Sequence, residues 1–254
     1  MLDVLVLGFS FGSLVGGYCH PGNMAGRVAG GASLFYQTPG SDVYRCASDC
    51  LSFKVCQAFD LRRSDRVCSL YAKSTNEKEV VIYDDYVYDD IINWLQKVAG
   101  QCAGHSCPPQ TRCRVSRTNV PLCEDWSPCL VQGRTRYCLR LIPLKNNRSL
   151  ATEICAAQGW HLSTLDTEEK NKLFKVYIGI TENSNVNVFV AGNEEDGTWL
   201  WSNGRPLVYG DWTLSQPITI RNKENCIVAG ALGWRSRLCS TYVNHVLCDL
   251  TYTV

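Results

Sequence analysis

Apolar positions along the chain fall in short runs. The first, 1–17, holds Leu2, Val4, Leu5, Val6, Leu7, Phe9, Phe11, Leu14 and Val15. It is shorter than the roughly 20 residues that span a bilayer. Its end, Gly16 and Gly17, suits cleavage before Tyr18. The expectation is a signal peptide over 1–17. Asp3 stands where a basic residue is usual, and a buried N-terminal strand is the alternative. Residues 35–37 and 80–83 are β-branched and aromatic and predict strands. Residues 48–54 predict a helix of two turns, with Cys46 and Cys50 on one face at i, i+4. The run 83–90 mixes Asp84, Asp85, Asp89 and Asp90 with tyrosines. Four carboxylates could meet a cation or a basic partner. The alternative is a solvated strand edge or the start of a helix through Ile91 and Ile92, since acids favour helix N-termini.

In the second half, Ser149 is a candidate N-cap for a helix over 150–157, with Thr152 and Glu153 in its first turn. Leu150, Ile154, Cys155 and Ala157 supply its apolar side, and Gly159 stops it. The run 162–169 predicts a short strand followed by a second capped helix to about Phe174. Strands are expected at 186–190, 198–201, 227–229 and 243–248. Trp199 and Trp201 share a strand face and read as core aromatics. The loop over 204–223 is the expected binding surface. No later apolar run approaches membrane length, so no membrane span is expected in the mature chain.

Composition sharpens this picture at one point. The 254 residues include 15 cysteines. No Cys-x2-Cys pair occurs, and the four histidines are scattered, which disfavours structural zinc. An oxidising compartment and a secreted, extracellular, disulfide-rich protein follow. Fifteen is odd, so seven bridges leave one thiol, and a disulfide-linked homodimer is expected. The sequon Asn147-Arg148-Ser149 suits a glycosylated surface loop. Lys plus Arg number 25 against 24 Asp plus Glu, so no nucleic-acid partner is expected. No Gly-x-Ser-x-Gly elbow and no His-Glu-x-x-His motif occur, so no enzyme, catalytic residue or cofactor is expected.

Gly100, Gly104, Pro108 and Pro109 mark a linker between two cysteine clusters. Before it, Cys46-x3-Cys50-x5-Cys56-Gln57-Ala58-Phe59 and Cys68-Ser69-Leu70-Tyr71 resemble the PAN/apple family. That resemblance implies pairing of Cys46 with Cys68 and Cys50 with Cys56, and a terminal bridge from Cys19 to Cys102. In the middle piece an incomplete epidermal-growth-factor-like fragment leaves one of Cys107, Cys113 and Cys123 over. Alternatively Cys102 pairs with Cys113 and Cys107 with Cys123, leaving Cys19.

After the linker, Cys155-x3-Gly159-Trp160-His161-Leu162, Phe189-Val190-Ala191-Gly192, Trp199-Leu200-Trp201, Trp212, Gln216-Pro217, Cys226, Trp234-x4-Cys239 and Cys248-Asp249 resemble the C-type lectin-like fold. The resemblance implies Cys155–Cys248, Cys226–Cys239 and Cys129–Cys138. The expected architecture is α+β and disulfide-rich. It runs from a signal peptide at 1–17 to a PAN/apple-like domain at 18–102. A cysteine-rich, partly EGF-like linker at 103–128 leads to a C-type lectin-like domain at 129–254.

Sugar-binding members of that family hold calcium through a Glu-Pro-Asn or Gln-Pro-Asp triplet, a later Glu, and a Trp-Asn-Asp triplet. Here Gln216 and Glu224 remain, but Ile218, Arg235 and Ser236 replace oxygen ligands. Calcium needs six to eight oxygens, so no metal is expected. Arg235 is expected near Glu224, in the cation's place. Arg221, Lys223, Arg235 and Arg237 make the loop region basic and suited to sulfated or sialylated chains, or merely solvated. The expected function is recognition of glycans or glycoproteins, with candidate ligand-binding residues Gln216, Glu224, Arg221, Lys223 and Arg235. The alternative is an adhesion or matrix protein using both domains for protein contacts.

Overall fold

A computed structural model describes residues 25–28, 33–74, 81–108, 111–181, 185–219, 223 and 225–254. The expected signal peptide and Cys19 lie outside them.

The N-terminal unit runs β1 (Ala25–Val28), β2 (Leu34–Thr38), α1 (Val43–Ser52), β3 (Ala58–Arg62), β4 (Val67–Tyr71) and β5 (Val81–Asp90). Its strands lie in the order β1-β5-β3-β4-β2. The helix expected at 48–54 starts five residues earlier, because Asp42 caps it by accepting from the Arg45 amide at 2.9 Å. Its buried face carries Cys46, Ala47 and Cys50. Cys46 is bonded to Cys68 on β4, and Cys50 to Cys56. The acidic run is not a solvated edge. It continues β5 between β1 and β3, and Ile91–Asn93 form one 3-10 turn after it. Asp89 is buried, accepting from Trp94 Nε1 at 3.0 Å and Asn93 Nδ2 at 2.7 Å. Those donors satisfy the carboxylate in place of water.

A two-stranded ribbon, β6 (Thr111–Val115) and β7 (Pro121–Asp125), follows. Cys102 bonds Cys113 and Cys107 bonds Cys123, so the terminal bridge from Cys19 to Cys102 does not form.

The C-terminal unit comprises β8 (Cys129–Gln132), β9 (Thr135–Ile142), α2 (Arg148–Ala157), β10 (His161–Leu162), α3 (Glu168–Ile180), β11 (Asn187–Glu195), β12 (Thr198–Trp201), β13 (Asn225–Gly230), β14 (Gly233–Leu238) and β15 (His245–Thr253). Its strands continue the sheet as β8-β9-β15-β11-β13-β14. The join is a parallel β2–β8 contact at Tyr36 and Cys129, reinforced by Gln37 Oε1 accepting from the Val131 amide at 2.8 Å. Trp126 seals it, with ring centroids 5.2 Å from Phe35, 5.3 Å from Phe53 and 5.8 Å from Tyr177. The first two pairs are edge-on and the third tilted, and such aromatic contacts add to the burial term. Asn147, not Ser149, caps α2; its Oδ1 accepts from the Leu150 amide at 2.9 Å.

Asp249 on β15 makes a pH-dependent contribution. It is buried, and Oδ2 accepts from the Thr164 amide at 2.7 Å. Burial raises its pKa to about 6, against about 3.9 in an unfolded chain. The folded state therefore holds this proton more tightly. Stability from the protonated carboxyl is complete below about pH 4 and is lost as pH rises through about 6. Asp249→Asn keeps an acceptor for Thr164 and removes the ionisation. It should be more stable than the wild type near pH 7.5, by at most about 3 kcal/mol. Near pH 4 the two should be equal in urea denaturation. A wild-type chain no less stable at neutral pH than Asp249→Asn would refute the buried-charge account.

Candidate functional site

The segment after β12 has little regular structure, so other contacts must order it. Trp234 on β14 is its anchor, fully buried between Trp201, Tyr209 and Trp212. Its Nε1 donates to Asn171 Oδ1 on α3 at 3.0 Å. Asn171 Nδ2 in turn donates to Tyr209 and Asp211, both at 3.1 Å, and Lys175 pairs with Asp211 at 2.6 Å. Burial raises the pKa of the Tyr209 hydroxyl, keeping it protonated.

Beyond this anchor the chain reaches Gln216, which precedes Pro217 through a cis peptide. Gln216 Oε1 accepts from the Ser236 amide at 2.9 Å and lies 2.8 Å from the Ser236 hydroxyl. That hydroxyl also lies 2.7 Å from the Ile218 carbonyl and accepts from the Ile218 amide at 2.8 Å. The loop is latched onto β14 by these side-chain and backbone bonds. The oxygen of Gln216 already has a donor, and Ile218 projects a half-exposed apolar side chain. In the same loop Leu214 and Val208 are 97% and 93% exposed.

Arg235 does not join this group. Side chains alternate across a strand, so Ser236 faces the loop while Arg235 and Arg237 face the other side. There Arg235 Nη2 donates to Asn187 Oδ1 at 3.2 Å. Lys223 is exposed, and its carbonyl accepts from Asn225 Nδ2 at 2.9 Å. Arg221 and Glu224 lie outside the described residues. Of the five candidates, the structure therefore places Gln216 in the latch, Arg235 on the opposite face and Lys223 on the surface. Lys145 and Tyr242 line the same cleft as Arg235. This left no signal in sequence, because Lys145 is far away along the chain and is brought in by the pairing of Asn146 with Val243.

Three bridges frame the unit: Cys155–Cys248, Cys226–Cys239 and Cys129–Cys138. His105 Nε2 approaches Cys123 Sγ at 3.4 Å, but that sulfur is bonded to Cys107 and is no thiolate donor for a metal.

Two helices and paired strands, a long latched loop and these bridges define a C-type lectin-like domain. Residues 145–250 match the family model described as the lectin C-type domain. A protein of the snake Oxyuranus scutellatus, described as a C-type lectin mannose-binding isoform, is 23% identical over 131 residues, covering 48% of this chain and 80% of its own. The carbohydrate-recognition domain of mouse scavenger receptor C-type lectin is 18% identical with a TM-score of 0.40, covering 48% of this chain and 94% of that one. TC14, a C-type lectin from the tunicate Polyandrocarpa misakiensis, is 18% identical with a TM-score of 0.39, covering 45% and 97%.

Proposed function

We propose that this chain is a secreted, extracellular recognition protein that binds carbohydrate or glycoprotein ligands without calcium at the loop, and without catalysis. The observation that carries the calcium reading is the latch. A cation needing six to eight oxygens would have to break the Gln216–Ser236 bonds, and Ile218 offers it no side-chain oxygen. The sugar reading rests on the domain class, in which the snake relative is described as mannose-binding. A signal peptide at 1–17, a PAN/apple-like unit at 18–102, glycosylation at Asn147 and a homodimer bridged through a leftover cysteine belong to the same proposal. Two linked copies would raise avidity through effective concentration.

The test is binding to a glycan array in calcium and in chelator, with melting followed in both. A ligand or ion that binds the folded state raises its melting temperature. Equal binding and equal melting in the two conditions are expected; loss of either in chelator overturns the calcium reading. The exposed Val208, Leu214 and Ile218 favour a second reading, adhesion through protein contacts. It takes over if no glycan binds in either condition.

A further inference from the structure

The face of β14 turned away from the latch holds a cleft of about 450 Å³, within the range of small-ligand sites. Lys145, Arg235, Arg237 and Tyr242 line it, with Asn187 and Asn244. Its frame is built from backbone bonds. The Asn146 amide donates to the Val243 carbonyl at 3.0 Å, and the Val243 amide returns a bond at 2.8 Å, which holds Lys145 beside Tyr242. The Asn187 amide donates to Asn244 Oδ1 at 3.0 Å, and Asn187 Oδ1 steadies Arg235.

The charges in this cleft are one-sided. Three cationic side chains line it, no carboxylate does, and none of the three has a carboxylate partner among the described residues. Arg235 and Arg237 stand at i, i+2 on one strand, about 7 Å apart along it. Two guanidinium forks carried on the same face of one strand suit the oxygens of a single anion, because each fork can bind oxygens in bidentate fashion. A concave wall focuses their field.

Tyr242 identifies what carries the anion. The residue is 58% exposed, and Lys145 Nζ lies over one face of its ring, 5.6 Å from the centroid. An exposed aromatic ring packs against the apolar C–H face of a pyranose, and Thr241 adds a hydroxyl to the lining, while Asn244 is held by the Asn187 amide and the Asn185 carbonyl and shapes the wall. We propose that this cleft binds an anionic saccharide, its sulfate or carboxylate held by Arg235 and Arg237 and its ring stacked on Tyr242. The inference rests on the glycan-recognition reading but uses the face opposite the latch.

The test measures binding of the full chain to a heparin hexasaccharide, its desulfated counterpart, a hyaluronan oligosaccharide, neutral mannan and polyglutamate. The variants are Arg235→Gln/Arg237→Gln, Tyr242→Ala, and Arg117→Gln/Arg134→Gln, the last removing equal charge from exposed positions elsewhere. Circular dichroism checks that each is folded. Sulfated or carboxylated sugar should bind the wild type, and the hexasaccharide against hyaluronan tells sulfate from carboxylate. The cleft double variant should weaken binding at least about tenfold, the loss of one charge-assisted contact or more. Tyr242→Ala should weaken the saccharide but leave any polyglutamate binding unchanged, and the control double variant should stay within about twofold. Equal losses in cleft and control variants, or binding untouched by the cleft variant, overturn the site while leaving glycan recognition standing. So does binding of neutral mannan alone. Polyglutamate bound as tightly, with the same loss, makes the partner an acidic polypeptide and overturns the saccharide. Binding to no glycan at all removes the broader reading as well.

Discussion

Replacing Cys155 and Cys248 together by Ala is expected to destabilise the chain by about 4 to 5 kcal/mol, the largest effect of any single bridge. The two sulfurs are fully buried, and they close a loop with a sequence separation of 93. In the chain-entropy account, a loop of that size restricts the unfolded ensemble most. Cys46–Cys68 and Cys50–Cys56, with separations of 22 and 6, should cost about 3 and about 2 kcal/mol on the same account. The long bridge also ties α2 to β15, where Cys248 pairs with Arg140 of β9 and Leu162 of β10. With domains stable by about 5–15 kcal/mol, its loss leaves little margin. Calorimetry on oxidised protein should show melting fall by roughly 10 to 20 °C. A fall no greater than that from removing Cys50–Cys56 would mean that native-state packing, not loop closure, sets what these bridges contribute.

Those cysteines also show what sequence could convey. The strand at Thr198–Trp201 was legible because aromatic positions two apart mark one strand face. β3 and β4 left no such pattern. Every residue of β4 is buried, and four of five in β3, so alternation vanishes. Asp60 adds a misleading charge to that core, where it accepts from the Tyr71 hydroxyl. The start of α2 was ambiguous for another reason. Asn147 and Ser149 are both capping residues two positions apart, and only the geometry of Oδ1 toward Leu150 decides between them. The candidate site divides in the same way. Gln216 and Ser236 meet across the loop, but Arg235, read by its place in a motif, belongs to the other face of β14. Period two alone separates neighbours 235 and 236, so that part was available from sequence. The approach of Lys145 to Tyr242 was not, because it depends on the pairing of Asn146 with Val243.

Trp234→Ala is the second substitution with a large expected effect, about 5 kcal/mol or more. Truncating a fully buried Trp costs about 3–5 kcal/mol by itself, and Trp234 has no exposed surface. It also removes edge-on contacts with Trp201, Tyr209 and Trp212, whose centroids lie 5.6 to 5.9 Å away, at about 0.5–1.5 kcal/mol each beyond area burial. Asn171 Oδ1 then loses its donor inside the core, which costs about 1–3 kcal/mol more. These contributions overlap, so the sum is an upper bound. Backbone bonds survive in principle, since the Trp234 amide and carbonyl bond Asp211 and Thr213 whatever the side chain. Their geometry depends on the indole filling the space beneath the loop. Loss of the side chain should therefore free the latch at Gln216 before the sheet opens. Limited proteolysis is expected to cut within residues 204–219 while β9, β11 and β15 stay protected from hydrogen exchange. Trp234→Phe separates the causes: it keeps most of the aromatic packing and lacks only the N–H. A variant as unstable as Trp234→Ala assigns the loop's order to the Asn171 hydrogen bond, and one near the wild type assigns it to packing. Cleavage no faster in Trp234→Ala than in the wild type would show that the loop is ordered by its own bonds to Ser236.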